Sequence, residues 1–335
     1  MKDNKKKVLV IKLCCLGDVI QATPALRALK ENGYEVHYLC IEFVKPLLEL
    51  VPFISKIYTI NLENITDVLK TISVLNKGNY DLVINFHRDI KSFLFVFFIN
   101  AKMKAGFKWG LSSLFVNKSF VFNSNIHESE RYLSIISGLG FEIKDKSTKI
   151  NIPETASEKI EISTNKKIGI FPGGGVNPGT VMLTKRWPVA NYIILAQKMI
   201  DEGFSVYAFG GLMDQPLIDE IRKVVPEVKE AITKTINDFI YYVSKMDLFI
   251  APDTGPLHIA AAAGVNTIGL FGASSPELVA PPNSNSQYLW GREKCSPCYL
   301  PETVHKRKFL RCKDNICMKK ITVDMVYEKI KLITG

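Results

Sequence analysis

The chain has 335 residues, 47% of them apolar and 23% charged, with a net charge of +10. That is a globular composition, long for one core and comfortable for two. No stretch reaches the roughly 18 uninterrupted apolar residues of a membrane span, and apart from Lys5 to Lys7 no basic run interleaved with aromatics marks a nucleic-acid surface. The charge, mostly lysine, suits anionic substrates or an anionic membrane face. An apolar start interrupted by Lys12 and running into Gly17-Asp18 reads as a first strand rather than a signal peptide, so a cytoplasmic protein is expected. Seven cysteines, an odd count with Cys14, Cys15 and Cys40 in apolar surroundings, do not suggest a disulfide framework.

A run of Val, Leu and Ile at 7–13 forms the first strand. A tight turn follows at 14–18, with Gly17 available for an unusual backbone angle. Asp18 opens a helix through 30 whose apolar face holds Ile20, Leu26 and Leu29, and Gly33 ends it. Strands follow at 35–41, 56–60 and 81–86. The last leads through His87-Arg88-Asp89 into an apolar helix at 92–100, and 104–107 is another short strand. Strands alternating with helices indicate a doubly wound parallel sheet. Residues 144–166 lose the apolar period and gather Lys, Ser, Thr, Glu and Pro153, which reads as a linker. The pattern restarts at 167–171, giving two domains, 1–160 and 161–335. The second continues with helix 189–202, strand 205–209 and helix 215–223. It then reaches 247–275: a buried strand, Asp253 or Thr254 as a cap, Pro256 in a first helical turn, an alanine-rich helix at 258–263 stopped by Gly264, and a strand at 266–272.

Paired α/β halves usually hold ligands at the carboxyl ends of their strands, in a cleft between domains. Four such turns carry chemistry: Gly17-Asp18; His87-Arg88 with Lys91 beyond; Gly173-Gly174-Gly175 running on to Thr184-Lys185-Arg186; and Asp253-Thr254-Gly255. A loop ending at a helix N-terminus presents free N–H groups and a positive dipole end, a seat for phosphate, or it is simply a capped βαβ turn. The glycine run permits close approach to a diphosphate, yet it opens no helix directly and lacks the distal acid of a dinucleotide fingerprint. No GxxxxGK[ST] loop is present. Lys185 and Arg186 stand at a helix start, unfavourable unless an anion is there, or are two solvated charges. Asp18 is either an N-cap or a base; His258 is a core histidine or the support of the Asp253 loop; Arg88 and Lys91 are surface charges or binders of an acidic acceptor. Cys295, Cys298, Cys312 and Cys317 have spacing compatible with a structural zinc site, with free or redox-paired thiols as the alternative and His305 as a substitute ligand.

With those residues in view, the chain resembles glycosyltransferase family 9, the bacterial lipopolysaccharide heptosyltransferases. The resemblance runs through VLVIKLCCLGDVIQATPALRALK, DLVINFHRDIKS, FPGGG with KRWPVANYIILAQKMIDEG, and PDTGPLHIAAAAGVNTIGLFGASSP. It implies a GT-B fold of two Rossmann-like domains facing across a cleft, the first for the acceptor and the second for a nucleotide sugar. It also implies an inverting, metal-independent transferase; no DxD motif is present. By resemblance Asp18 is the base and Gly17, His87, Arg88 and Lys91 line the acceptor side. Thr184 and Lys185, with Arg186 beside them, and the backbone of Asp253, Thr254 and Gly255 hold the donor phosphates; His258 supports that loop, Gly173 and Gly174 lie on the donor side, and Asp214 meets the ribose. The implied donor is ADP-heptose and the implied acceptor an anionic lipid A–core glycolipid on the inner membrane, with no catalytic cofactor and no nucleic acid. Cys14-Cys15 stand where the family usually has serines and Lys12 where arginine is common, so the acceptor differs in detail. A GT-B sugar-nucleotide epimerase and a non-catalytic sugar-nucleotide or carbohydrate binder are the alternatives.

Overall fold

Val8, Leu9, Val10 and Ile11 are all buried, and a strand covered on both faces must sit in the middle of a parallel sheet flanked by helices. The computed structural model describes residues 5–13, 15–108, 110–157, 159–177, 180–300 and 312–334, with the backbone alone at 90, 111–113, 176–177 and 180–181. It divides into two compact units, 1–149 and 150–335.

Unit 1 runs β1 (Lys6–Ile11), α1 (Leu16–Glu31), β2 (Tyr34–Cys40), α2 (Lys45–Leu48), β3 (Lys56–Thr59), α3 (Ile65–Asn76), β4 (Tyr80–Asn85), α4 (Ile90–Phe97), β5 (Ala101–Phe107), β6 (Lys118–Phe120) and α5 (Glu128–Gly138). Its six strands lie in the order β3-β2-β1-β4-β5-β6, every neighbouring pair parallel. Order reverses between β1 and β4, so the loops after these two strands diverge and leave a crevice at their carboxyl ends. Register fixes the partners there: Ile11 is opposite Asn85.

Unit 2 repeats the plan. Its elements are β7 (Lys167–Ile170), the two-residue pair β8 (Val176–Asn177) and β9 (Thr180–Val181), α6 (Val189–Asp201), β10 (Ser205–Gly210), α7 (Gln215–Val224) and β11 (Lys229–Ile232). There follow α8 (Ile236–Val243), β12 (Leu248–Pro252), α9 (Gly255–Ala262), β13 (Asn266–Phe271), α10 (Pro276–Val279), β14 (Ser286–Trp290), α11 (Ile316–Lys319) and α12 (Val323–Thr334). The parallel order is β11-β10-β7-β12-β13-β14, with its reversal between β7 and β12. Among the described residues no helix is long and apolar enough to cross a membrane.

The boundary falls at 149/150, inside the interval expected as a linker but before residue 160. Its physical cause is where the backbone of 150–166 finds hydrogen bonds. This stretch has no regular element, so its N–H groups need side-chain or turn partners. Ile150 N donates to Ala262 O (3.1 Å), Ile160 N to Tyr242 Oη (2.9 Å) and Ser163 N to Tyr207 Oη (2.7 Å), all in unit 2. Lys149 N instead donates to Thr23 Oγ1 (3.3 Å) in unit 1. Short or polar elements escaped the sequence reading: β6 and β11 are half-exposed edge strands, and α5 carries charges through its first turn.

Asp238, buried at the start of α8, accepts from Ser157 N (2.6 Å), Ser157 Oγ (2.7 Å) and Thr235 Oγ1 (2.7 Å). It ties the 150–166 stretch to the helix. Asp238→Ala removes these three charge-assisted bonds and is expected to destabilise unit 2 by about 1–2 kcal/mol. Thermal unfolding should then show a midpoint several degrees lower, with Asp238→Asn losing less.

Candidate functional site

In unit 1 the residues beyond β1 and β4 form one polar group. The helix α1 starts at Leu16, so Asp18 lies in its first turn and Cys15 takes the N-cap position. The left-handed angle expected at Gly17 falls on exposed Cys15 instead (φ 71°), a strained backbone for a side-chain-bearing residue. Cys14 lies outside the described residues. Lys12, buried at the end of β1, donates Nζ to Asp18 Oδ2 at 2.7 Å. Asp18 is partly exposed, and its Oδ1 has no hydrogen bond among the described residues.

His87 faces the same group from the end of β4. Leu13 N donates to its Nε2 at 2.6 Å, so that nitrogen carries no proton, and Nδ1 lies 3.8 Å from Asp89. Burial and then the charge of Lys12 lower its pKa to about 4, in keeping with a neutral ring. Asn85 braces this turn by accepting from His87 N (3.0 Å) and donating to Ser92 Oγ (3.1 Å). Two residues the sequence reading missed complete the group. Tyr132 on α5 lies under Lys12 (5.8 Å) and against Phe86, and its hydroxyl donates to Glu128 Oε1 at 2.6 Å. Burial, then the nearby charge of Asp18, raises the Glu128 pKa. The available signal was Lys12 itself, a charge closing an otherwise apolar strand. Arg88 stacks 3.7 Å over the Phe122 ring, and Lys91 is exposed in the first turn of α4.

In unit 2 the loops after β7 and β12 meet at Asp253. This buried carboxylate accepts from Lys185 Nζ at 2.7 Å and from Ser274 Oγ, and lies 3.5 Å from His258 Nε2. Burial opposes its ionisation, but Lys185 and His258 outweigh that and hold the carboxyl well below the usual range. Thr254 occupies the N-cap of α9, yet its hydroxyl turns away to Pro252 O (3.1 Å), and Asp253 caps nothing. No side chain caps α9; Pro256 carries no N–H and Leu257 N donates to Thr254 O (3.1 Å), so of its first three positions only Gly255 has an amide without a partner among the described residues. Pro256 sits in its first turn as expected, though the helix begins at Gly255, earlier than the alanine run suggested.

The glycine run is pressed against the same loops. A Cβ on Gly173 would strike the Asp214 carboxylate, one on Gly174 the Thr254 methyl, and one on Gly175 the Met182 carbonyl. Gly174 and Gly175 also hold φ of 97° and 74°. Asp214 is fixed there by Gly211 N, 3.1 Å from its Oδ2. Arg186 Nε donates to Gly174 O at 2.9 Å, and its terminal nitrogens have no partner among the described residues. The Thr184–Arg186 turn is anchored by Trp187, buried against Tyr192 with Nε1 bonded to Ile321 O (2.7 Å). Within that turn the Thr184 hydroxyl is buried without a partner among the described residues. Lys185 also lies 4.5 Å from the Tyr299 ring centre. Gly173, Gly174, Thr184, Lys185, Arg186, Asp214, Asp253, Thr254, Gly255 and His258 thus belong to one region of unit 2.

The four late cysteines do not make the expected zinc set. Cys298 N bonds Ala273 O and Cys317 packs beside Gly272, so the thiols are near enough to feel one another's charge. Yet Cys295 is exposed and Cys317 is turned into the core, its thiol pushed up to about 11 by burial. Among the described residues no three metal-ligating side chains converge. His305 lies outside the described residues.

The profile of glycosyltransferase family 9 (heptosyltransferase) matches residues 68–308. A lipooligosaccharide heptosyltransferase 2 of Haemophilus influenzae is 26% identical over 304 residues, covering 82% of this chain and 85% of its own. A family 9 glycosyltransferase from Veillonella parvula superposes with a TM-score of 0.78 at 22% identity over 99% and 98% of the two chains. An E. coli heptosyltransferase solved with ADP gives 0.76 at 16% identity over 98% and 100%. The architecture is accordingly GT-B, two Rossmann-like doubly wound domains.

The neutral His87 has a consequence for stability. Its folded pKa of about 4 lies below the roughly 6.5 of a free imidazole, so between those values the unfolded chain binds more protons. Its contribution is present above about pH 6.5 and is lost as the pH falls toward 4, about 3 kcal/mol in all. Urea unfolding at a series of pH values should show this slope, and His87→Gln should flatten it.

Proposed function

The chain belongs to glycosyltransferase family 9 and is a glycosyltransferase, and from that premise we propose that it transfers heptose from ADP-heptose to a lipopolysaccharide inner-core acceptor, inverting the anomeric centre without a divalent ion. Unit 2 takes the donor. The observation that carries this reading is the Lys185–Asp253 pair at 2.7 Å, which joins the Thr184–Arg186 turn to the uncapped start of α9. A diphosphate seated there meets the Gly255 amide, the Thr184 hydroxyl and the unengaged end of Arg186. Asp214, held against Gly173, is the acceptor for ribose hydroxyls. ADP as the nucleotide is supported by the E. coli neighbour solved with it.

Unit 1 takes the acceptor, with Asp18 as base, Gly17 and His87 near it, and Arg88 and Lys91 further out toward the acceptor's anionic groups. The free oxygen of Asp18 removes the proton from the acceptor hydroxyl as that oxygen attacks the anomeric carbon. The bond from that carbon to the β-phosphate oxygen breaks with inversion, and ADP leaves with its charge held by α9 and the neighbouring cations. Lys12 positions Asp18, while neutral His87 fixes the Leu13 backbone beside it. A glycolipid acceptor would put the protein on the cytoplasmic face of the inner membrane, as its net positive charge favours.

The direct test is incubation with ADP-heptose with and without a deacylated inner-core acceptor. ADP release only with both present supports transfer; release without acceptor, or none with both, removes the reading. Asp18→Asn should lower turnover by at least about a hundredfold while ADP affinity stays within a factor of about two. Thr184→Val gives a test of sign. Removing a partnerless buried hydroxyl should leave stability unchanged or slightly raised, yet weaken ADP binding by roughly tenfold or more, read by isothermal titration.

A further inference from the structure

Helix α4, IKSFLFVF, has almost no polar face. Phe93, Phe95, Val96 and the following Ile99 are buried in unit 1. The opposite side points outward: Leu94 is 43% exposed, Phe97 52% and Phe98 55%. The helix packs on the 3₁₀ segment Gly110–Phe115, where Leu114 is 77% exposed. Ring contacts make the patch continuous, Phe97 meeting Phe98 at 5.2 Å and Phe115 at 5.5 Å. A surface helix in water ordinarily turns polar residues outward, and contiguous exposed apolar side chains mark a contact surface.

The rim of the patch is cationic. Lys104 lies over the Phe97 ring at 5.8 Å and donates to Phe97 O at 2.8 Å. Lys102 projects from the start of β5, and Lys91 stands exposed one turn before Leu94. The acids on these elements are already engaged, Asp81 by Lys102 and Lys7 N, and Asp89 as the cap of α4. Aromatic rings beside ammonium groups match an anionic bilayer, whose acyl boundary takes the rings and whose phosphates take the lysines. A second copy of the chain would instead bring two lysine rims together.

We propose that the outer face of α4, with Leu114, is the surface by which this protein docks on an anionic lipid bilayer. The inference rests on the reading of the acceptor as a lipid-borne glycan and gives that reading a geometry. Helix α4 begins three residues after His87, and its eight residues carry the chain about 12 Å to Phe97. The sugar end of an anchored acceptor would therefore extend from the bilayer toward Asp18.

The experiment is cosedimentation of the full chain with phosphatidylcholine vesicles, with and without about 30% phosphatidylglycerol. Wild type should bind the anionic vesicles, and about 0.5 M NaCl should weaken that binding. Leu94→Ser/Phe98→Ser/Leu114→Ser, which spares the packed Phe97, should lower partitioning at least about tenfold. Lys102→Gln/Lys104→Gln should lower it on anionic vesicles only. Both variants should keep the wild-type Tm and ADP release on a deacylated acceptor. Equal partitioning of wild type and the triple variant overturns the proposal, as does a wild-type dimer that the triple variant disperses without vesicle binding. Failure of the transferase reading looks different: vesicle binding intact, with no turnover on the deacylated acceptor.

Discussion

A buried carboxylate cannot stay ionised alone, and that constraint organises unit 2. Asp253 sits at the end of β12, where leaving water would cost several kcal/mol if it were unpaired. Lys185, Ser274 and His258 supply the compensation, each from a different segment: the turn before α6, the loop after β13, and α9. Neutralising one charge therefore fixes three segments relative to one another. The consequence for chemistry is indirect. With Asp253 engaged by these partners it does not cap α9, and the Gly255 amide at the helix start has no partner among the described residues.

Asp18 in unit 1 shows the same kind of pair in a different setting. Its partner Lys12 is buried, but Asp18 itself is partly open to solvent and keeps one oxygen without a hydrogen bond among the described residues. An ion pair satisfied on all sides serves structure; one satisfied on a single oxygen leaves a basic lone pair available. The contrast between Asp253 and Asp18 is one of setting: the first carboxylate is buried with partners from three segments, the second is partly open with one ion-pair partner. Both stand at the reversal of strand order in their sheets, β7/β12 and β1/β4, where adjacent loops diverge.

Much of this was legible in the sequence, for identifiable reasons. Central strands such as β1 and β12 are buried on both faces and announce themselves as runs of Val, Ile and Leu. Glycines at 173–175 mark a close approach because nothing larger fits against Asp214, Thr254 and Met182. What stayed hidden depends on contacts distant in sequence. Glu128 and Tyr132 join Asp18 only because α5 packs on α1. Cys15 bears the strained angle although Gly17 is two residues away, since the first turn of α1 has already begun at Leu16. The late cysteines had a metal-like spacing, but spacing is silent on direction, and Cys317 faces the core.

The strain at Cys15 and the charge at Lys12 bear on each other. A helix that starts at Leu16 puts Asp18 over its own N-terminal amides, a position that favours an anion. Lys12, fixed at the end of β1, reaches the same carboxylate from below. Were the turn relaxed, with the helix starting later, Asp18 would become an ordinary cap and its oxygens would be taken by backbone N–H groups. The unfavourable angle at Cys15 is thus coupled to the freedom of one Asp18 oxygen, and local strain of about 1–3 kcal/mol is a scale the surrounding buried strand is able to sustain.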